Sequence, residues 1–308
     1  KSKEPGCSPF NLMASTIGDE IRLSTNQKAK VIGIAMKDRA AVLSSGHQAN
    51  AAYWYDNTTG KWITSSYYMD TLPKWVKEFN RKDFSDFYLE KIWDTMLPMD
   101  EYTESLPDDN PYETGLNRTQ HVFPYNLAEL SEQTRGKKNY NLLNYVPFGN
   151  TYTLDFTLAA IINENLGKDT DTDLLIASFS AIDFIGHYFG PRSVEMEDAM
   201  LRMDKIIEHL LTFIDDNLGK ENVLVFLTAD HGVADSPQYM TDRNSPAGIF
   251  KQNLCIALLK SYLNALYGEG EWVKDYIEQQ IYLNHELIMT PRSRLRKSRK
   301  NVRNLWFR

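Results

Sequence analysis

The chain has 308 residues, 42% hydrophobic and 24% charged, the composition of a globular protein with room for a sizeable core. Its formal net charge is −7, but residues 290–308 hold eight of the 34 lysines and arginines and no acid, leaving 26 basic against 41 acidic residues in 1–289. A body that acidic argues against a nucleic-acid binder, and no window approaches the ~18 uninterrupted apolar residues of a bilayer span.

The chain opens on Lys1 without a signal-peptide pattern and looks cut at both ends. Asn11–Arg22 has apolar residues at helical spacing. Lys30–Met36 (KVIGIAM) then reads as a buried strand, because a short β-branched run with no polar alternation is covered on both faces. It ends in Lys37 and Arg39. Tyr53–Tyr55 and Trp62–Tyr68 flank Asp56–Gly60 and read as a hairpin. Residues 71–149 are rich in aromatics, and Pro98, Pro107, Pro111 and Pro124 argue for loops, with Pro73–Phe79 as the one periodic stretch. This is an insertion or cap that either shapes a substrate mouth or only covers the core.

Thr151–Leu166 returns to helical spacing, with Gly167 as its stop. Leu174–Ser180 (LLIASFS) is a second strand and runs into Asp183 and His187. Ser193 caps a helix reaching about Leu218, with Met196, Met200, Met203, Ile207, Leu210 and Ile214 as its buried stripe. Val223–Thr228 (VLVFLT) is a third strand, running into Asp230 and His231. Strand, helix, strand in this order is a right-handed parallel βαβ unit. Cys7 and Cys255 are too far apart in sequence to suggest a disulfide framework, and Cys255, within NLCIALL, reads as a core thiol. The expected fold class is therefore α/β, a mostly parallel central sheet flanked by helices, carrying the aromatic- and loop-rich insertion. Residues 1–287 form one partial catalytic domain. The basic tail 288–308 is read as a solvated or non-native end rather than an arm for nucleic acid or anionic lipid.

In open α/β sheets, ligands bind beyond the carboxyl ends of the strands. Singly, each charged residue has a commoner job. An aspartate after a strand caps a turn, a lone histidine is structural, and a Lys/Arg pair is a solvated loop. Together, two Asp/His pairs and one Lys/Arg pair at three strand ends describe a metal site that handles an anion. Mixed carboxylate and imidazole ligands suit Zn²⁺, with Mn²⁺ or Fe²⁺ less excluded than Ca²⁺ or Mg²⁺.

The segments SAIDFIGHYFGP and LTADHG resemble the alkaline phosphatase superfamily, in the branch shared with type I phosphodiesterases and nucleotide pyrophosphatases. The upstream KVIGIAMKDR, with its Lys-x-Arg pair, resembles the zinc-dependent, phosphate-insensitive (PafA-type) bacterial alkaline phosphatases, and the likeness runs from about Asn11 to Leu287. It implies an alkaline phosphatase-like fold with two Zn²⁺ in the complete enzyme. Asp183 and His187 would hold one ion and Asp230 and His231 the other. Lys37 and Arg39 would grip the non-bridging oxygens of a small-molecule phosphate monoester. His47, in SSGHQAN, is a candidate to line the pocket.

The resemblance also implies a Thr or Ser nucleophile upstream of Lys30 and a further zinc histidine downstream, and neither has a counterpart here. The expectation is a fragment, inactive alone, of a periplasmic or secreted phosphomonoesterase working through a covalent phospho-Thr/Ser intermediate. A phosphodiesterase or nucleotide pyrophosphatase is the rival within the superfamily. A non-catalytic binding remnant is the rival outside it.

Overall fold

A run of alternating contacts organises the first strand, β1 (Val31–Ala35), which is buried at all five positions. Ile32, Ile34 and Met36 face one hydrophobic cluster, whereas Ala35 faces a second, smaller one with Ala41, Val42, Ala52 and Trp54. This is the period-2 signature of a strand covered on both sides. The computed structural model describes residues 6–116, 120–133, 137–277 and 279–289, with only the backbone at 133 and 137.

Helix α1 (Ile17–Ser24) precedes β1 and starts in a capping box, Thr16 accepting from the Asp19 amide and Asp19 from the Thr16 amide. Helix α2 (Asp38–Ser45) follows β1 and packs closely on it. Gly33 permits that approach, because a Cβ there would lie 1.9 Å from Ser45 Oγ and 2.6 Å from the Ala41 carbonyl oxygen. Strands β2 (Ala51–Asp56) and β3 (Lys61–Ile63) form the expected hairpin, Tyr55 opposite Trp62, around a turn in which Asp56 accepts from the Thr58 amide and the Thr59 hydroxyl.

Helix α3 (Phe148–Asn163) and strand β4 (Leu174–Ser178) come next in the frame of the sheet. The order is β3-β2-β1-β4, with β2–β1 and β1–β4 parallel and only β3 antiparallel. The core between sheet and α3 is aromatic: Trp62 stacks on Phe156 at 4.4 Å between ring centroids, with Tyr53 edge-on to Phe156. The insertion is less loop-like than its prolines suggest. It carries short helices at Lys74–Asn80, Phe84–Leu89 and Leu127–Ser131, and its Trp93, Tyr125 and Leu127 are wholly buried in the main core.

Helices α4 (Ala181–Phe189) and α5 (Val194–Asn217) follow β4. Ser193 caps α5 as its sequence suggests, accepting from the Met196 amide at 3.0 Å. The buried face of α5 matches the expected stripe only in part: Ile214 is buried and Leu210 packs on the core, but Glu195, Asp198, Ala199 and Ile206 also turn inward, and Met200 is exposed. Two of these are acids, which no apolar count would place inside.

The third expected strand is a correction. Val223–Thr228 makes no strand pairing among the described residues, and Leu224, Phe226 and Leu227 are 78–83% exposed. An apolar run becomes a strand only where a neighbour takes up its backbone groups. Among the described residues strand β4 pairs with β1 alone, and all five of its residues are only half-buried.

Chain contacts divide the protein into two units, one ending at Tyr239 and the other starting at Met240. The second has α6 (Gln252–Tyr267), an antiparallel hairpin of β5 (Val273–Ile277) and β6 (Gln280–Leu283), and a small core of Leu259, Leu263, Trp272, Val273 and Ile288. Cys255 is half-buried on α6 rather than in that core, and both cysteines are free. Residues 290–308, the basic tail, lie outside the described residues. No described helix is long and apolar enough to cross a membrane.

Candidate active site

The Asp183 carboxylate is where the strand ends meet. It lies in the first turn of α4, just beyond β4, and α4 is aimed by Asn150 of α3, whose buried Oδ1 accepts from the Ala181 amide at 3.0 Å. His187 follows one helical turn later on the same face, its Nε2 3.5 Å from Asp183 Oδ1. Lys37, the residue that caps α2 beyond β1, pairs with Asp183 Oδ2. Its ammonium lies 4.5 Å above the Phe184 ring, which Tyr145 supports edge-on.

His231 arrives from the segment after Val223–Thr228. Its Nε2 is 3.6 Å from Asp183 Oδ1 and 3.7 Å from Asp230 Oδ2. Its Nδ1 lies 2.8 Å from the Gly232 carbonyl, a contact that puts the proton on Nδ1 and leaves the Nε2 lone pair for Asp183's neighbourhood. The segment is tied down by Arg192, between α4 and α5, whose guanidinium donates to both carboxylate oxygens of Asp235 at 2.7 and 3.3 Å.

Burial pushes the Asp183 carboxyl up, but the hydrogen bond and charge of Lys37, helped by His187 and His231, outweigh it and hold the group below the usual range. The Gly232 contact, and after it the Asp230 charge, raise His231.

Lys37, Asp183, His187 and His231 are thus brought together. Asp230 reaches the group only through His231, its side chain 87% exposed. Arg39 is exposed in the first turn of α2 and makes no ion pair among the described residues. The structure brings both imidazoles to one carboxylate oxygen rather than separating two Asp/His pairs. His47 contacts Asp19 at 3.4 Å, beside the α1 cap. Sequence reasoning passed over Phe184 and Arg192; their adjacency to Asp183 and to the α5 cap was the available signal.

A carboxylate oxygen with two imidazole nitrogens is the donor chemistry that a divalent zinc-like cation selects. The donors fit such an ion in type and neighbourhood. They do not amount to a finished cage, since no group of three or more His, Cys, Asp or Glu among the described residues is arranged to hold a metal.

The sequence model of the type I phosphodiesterase / nucleotide pyrophosphatase family matches residues 15–256. Similar proteins include alkaline phosphatase PhoV of Synechococcus elongatus, 43% identical over 243 residues that cover 79% of this chain and 43% of that one. Alkaline phosphatase PafA of Elizabethkingia meningoseptica is 38% identical over 283 residues, 91% of this chain and 51% of that one. A Myroides odoratus protein named calcium-transporting ATPase is 44% identical over 284 residues, with the same coverages. The crystal structure of wild-type PafA superposes with a TM-score of 0.89 at 37% identity, covering 97% of this chain and 56% of that one. The chain spans about half the length of the curated relatives it matches. It is a member of the type I phosphodiesterase / nucleotide pyrophosphatase family.

Proposed function

We propose that the protein to which this chain belongs is a metal-dependent phosphate monoester hydrolase of the alkaline phosphatase kind, exported to the periplasm or secreted. The observation that carries the reading is the meeting of Lys37, His187 and His231 on Asp183 at the carboxyl end of a parallel sheet. The names of the PhoV and PafA relatives support it. So does a second solved structure of PafA, a mutant whose substituted residues include a lysine and an arginine two positions apart, the spacing of Lys37 and Arg39.

In this reading Asp183, His187, Asp230 and His231 hold divalent cations, Zn²⁺ by donor type. The bound ions supply Lewis acidity toward the oxygens of a phosphoryl group. Lys37 binds a non-bridging phosphate oxygen as a point charge, with Phe184 fixing the ammonium from below. Arg39 joins it by swinging its long, exposed side chain in, adding a planar fork to the same anion. His231 is oriented by its Gly232 contact, so its Nε2 stays available to an ion.

A monoester carries more charge than a diester and gains more from a Lys/Arg pair. The family's own description favours a diesterase as the second reading. Paired rates on an aryl phosphate monoester and a matched diester, with the longer protein and with Lys37→Ala, separate the two. A monoester preference that Lys37→Ala abolishes supports the proposal; a diester preference indifferent to Lys37 defeats it. Zinc titration of the present chain, with Asp183→Ala as control, tests the binding remnant, which predicts no difference between them.

A further inference from the structure

The stretch that delivers His231 has little to hold it in place. Every residue from Leu224 to Ala234 is exposed, and none pairs with a strand among the described residues. Between Leu224 and Asp235, hydrogen bonds and ion pairs to the rest of the protein come from two side chains among the described residues. One is His231, whose Nε2 is 3.6 Å from Asp183, and the other is Asp235, bound by Arg192. The His231 contact is long, and its ring is 59% exposed. A pair that open to solvent contributes little, and it does not offset the entropy of ordering so long a segment.

Asp235 is held more firmly. Its side chain is 24% exposed, and Arg192 donates to both of its oxygens, from Nε at 2.7 Å and from Nη2 at 3.3 Å. Such a planar fork fixes direction as well as distance. The guanidinium also lies 4.9 Å over the ring of buried Tyr239, which Tyr112 meets edge-on at 5.4 Å. Tyr112 belongs to the insertion, and the same stretch holds the Arg192 backbone: the Leu106 amide donates to the Arg192 carbonyl at 2.7 Å. Slightly further on, the Thr114 amide donates to the carbonyl of Tyr188, the residue after His187, at 2.7 Å.

Four residues separate Asp235 from His231, a reach of at most about 14 Å. A tether that short keeps the imidazole at high local concentration beside Asp183, and closing a short loop costs less entropy than closing a long one. We infer that Arg192 and Asp235 are positioning residues that hold His231 against Asp183, and that the 106–116 stretch of the insertion braces this clamp through Tyr112 and Tyr239. The inference concerns where His231 lies rather than what it binds, so it stands independently of the phosphatase reading.

The test reads the ring carbon–proton NMR signals of the histidines in the full, metal-free chain, with His231→Ala assigning the signal of interest. Asp235→Asn and Arg192→Gln are each expected to move the His231 signal to the position of a histidine in an unfolded chain. Arg192→Lys, which keeps the charge but not the fork, should move it only part of the way. Tyr112→Leu should move it in the same direction by less. The His47 signal, set by Asp19 beside α1, should stay in place in all of them, as it does while the body remains folded. A His231 signal unmoved in Asp235→Asn and Arg192→Gln overturns the clamp, and one unmoved in Tyr112→Leu overturns the bracing. Backbone relaxation of the wild type needs no variant. His231 and Asp235 are expected to be as rigid as α5, with order parameters of about 0.85, and Leu224–Thr228 to fall below about 0.6. His231 and Asp235 as mobile as Leu224–Thr228 also overturn the inference.

Discussion

Lys37 and Asp183 grip each other from the ends of adjacent parallel strands, one at the cap of α2 and the other in the first turn of α4. The pair is only partly shielded, with the lysine about a third exposed. A pair in that setting stabilises by about 1 kcal/mol or less. Its consequence is chemical rather than energetic, because it keeps Asp183 ionised and Lys37 pinned where an anion would sit.

Asp183 is the depressed-carboxylate case. The stability it contributes is present above its unfolded value of 3.8 and is lost as pH falls through the lower folded value. Replacing Lys37 with methionine removes the main opposing cause, so burial should win and the Asp183 carboxyl should rise. Carbon NMR titration of aspartate carboxyls in wild type and Lys37→Met measures this directly; an unmoved Asp183 would show that the pair does not persist in solution. The same variant is expected to weaken inorganic phosphate binding at least tenfold, about 1.4 kcal/mol.

The metal donors should not contribute equally. His187 and His231 both face Asp183 Oδ1, whereas Asp230 reaches outward into solvent. His187→Ala and His231→Ala are each expected to lower Zn²⁺ affinity by about tenfold or more, the scale at which even supporting contacts act. Asp230→Ala should cost less. Competition against a chromophoric chelator gives the order, and a loss for Asp230→Ala as large as for His231→Ala contradicts it.

Asp198 offers a stability test away from the site. This fully buried acid accepts from the Trp93 indole at 2.7 Å, the Tyr102 hydroxyl and the Met96 amide at 2.8 Å, and Arg202 at 2.6 Å. Asp198→Ala leaves a guanidinium and three donors without their acceptor, an expected cost of about 3–5 kcal/mol. Urea unfolding midpoints compare it with Arg202→Ala, which strips only one donor from a still well-satisfied carboxylate and should cost less.

What the sequence made legible was what depends on local spacing. Asp183 and His187 are four residues apart, close enough for one turn to bring them together, and β1 and β4 are continuous apolar runs, so both were readable from local sequence. Arg39 is different. Helix α2 starts at Asp38, so Lys37 stands outside it as an extended N-cap while Arg39 lies in its first turn. The Lys-x-Arg spacing therefore gives no common direction once the helix forms. Glu195 and Asp198 carry no local sign of burial, because their partners, Tyr125, Trp93 and Tyr102, come from about 70 to 105 residues away. The insertion hid its core role similarly: Trp93, Tyr125 and Leu127 are buried by tertiary contact, without any period to announce it.

The segment Val223–Thr228 is where sequence and structure part most clearly, and it can be tested by stability. Its composition is that of a buried strand, yet Phe226 is 83% exposed and no neighbouring strand pairs with it among the described residues. Phe226→Ser therefore removes little buried surface and should change stability by no more than about 0.5 kcal/mol. Ile34→Ala, in the middle of β1 and fully buried, should cost about 2–5 kcal/mol by the same measurement. An exposed apolar run without charge is also prone to pair between molecules, so Phe226→Lys should lower light scattering on concentration while leaving the unfolding midpoint in place. A Phe226→Ser variant as destabilised as Ile34→Ala would mean that the segment is covered in solution and packs with the sheet.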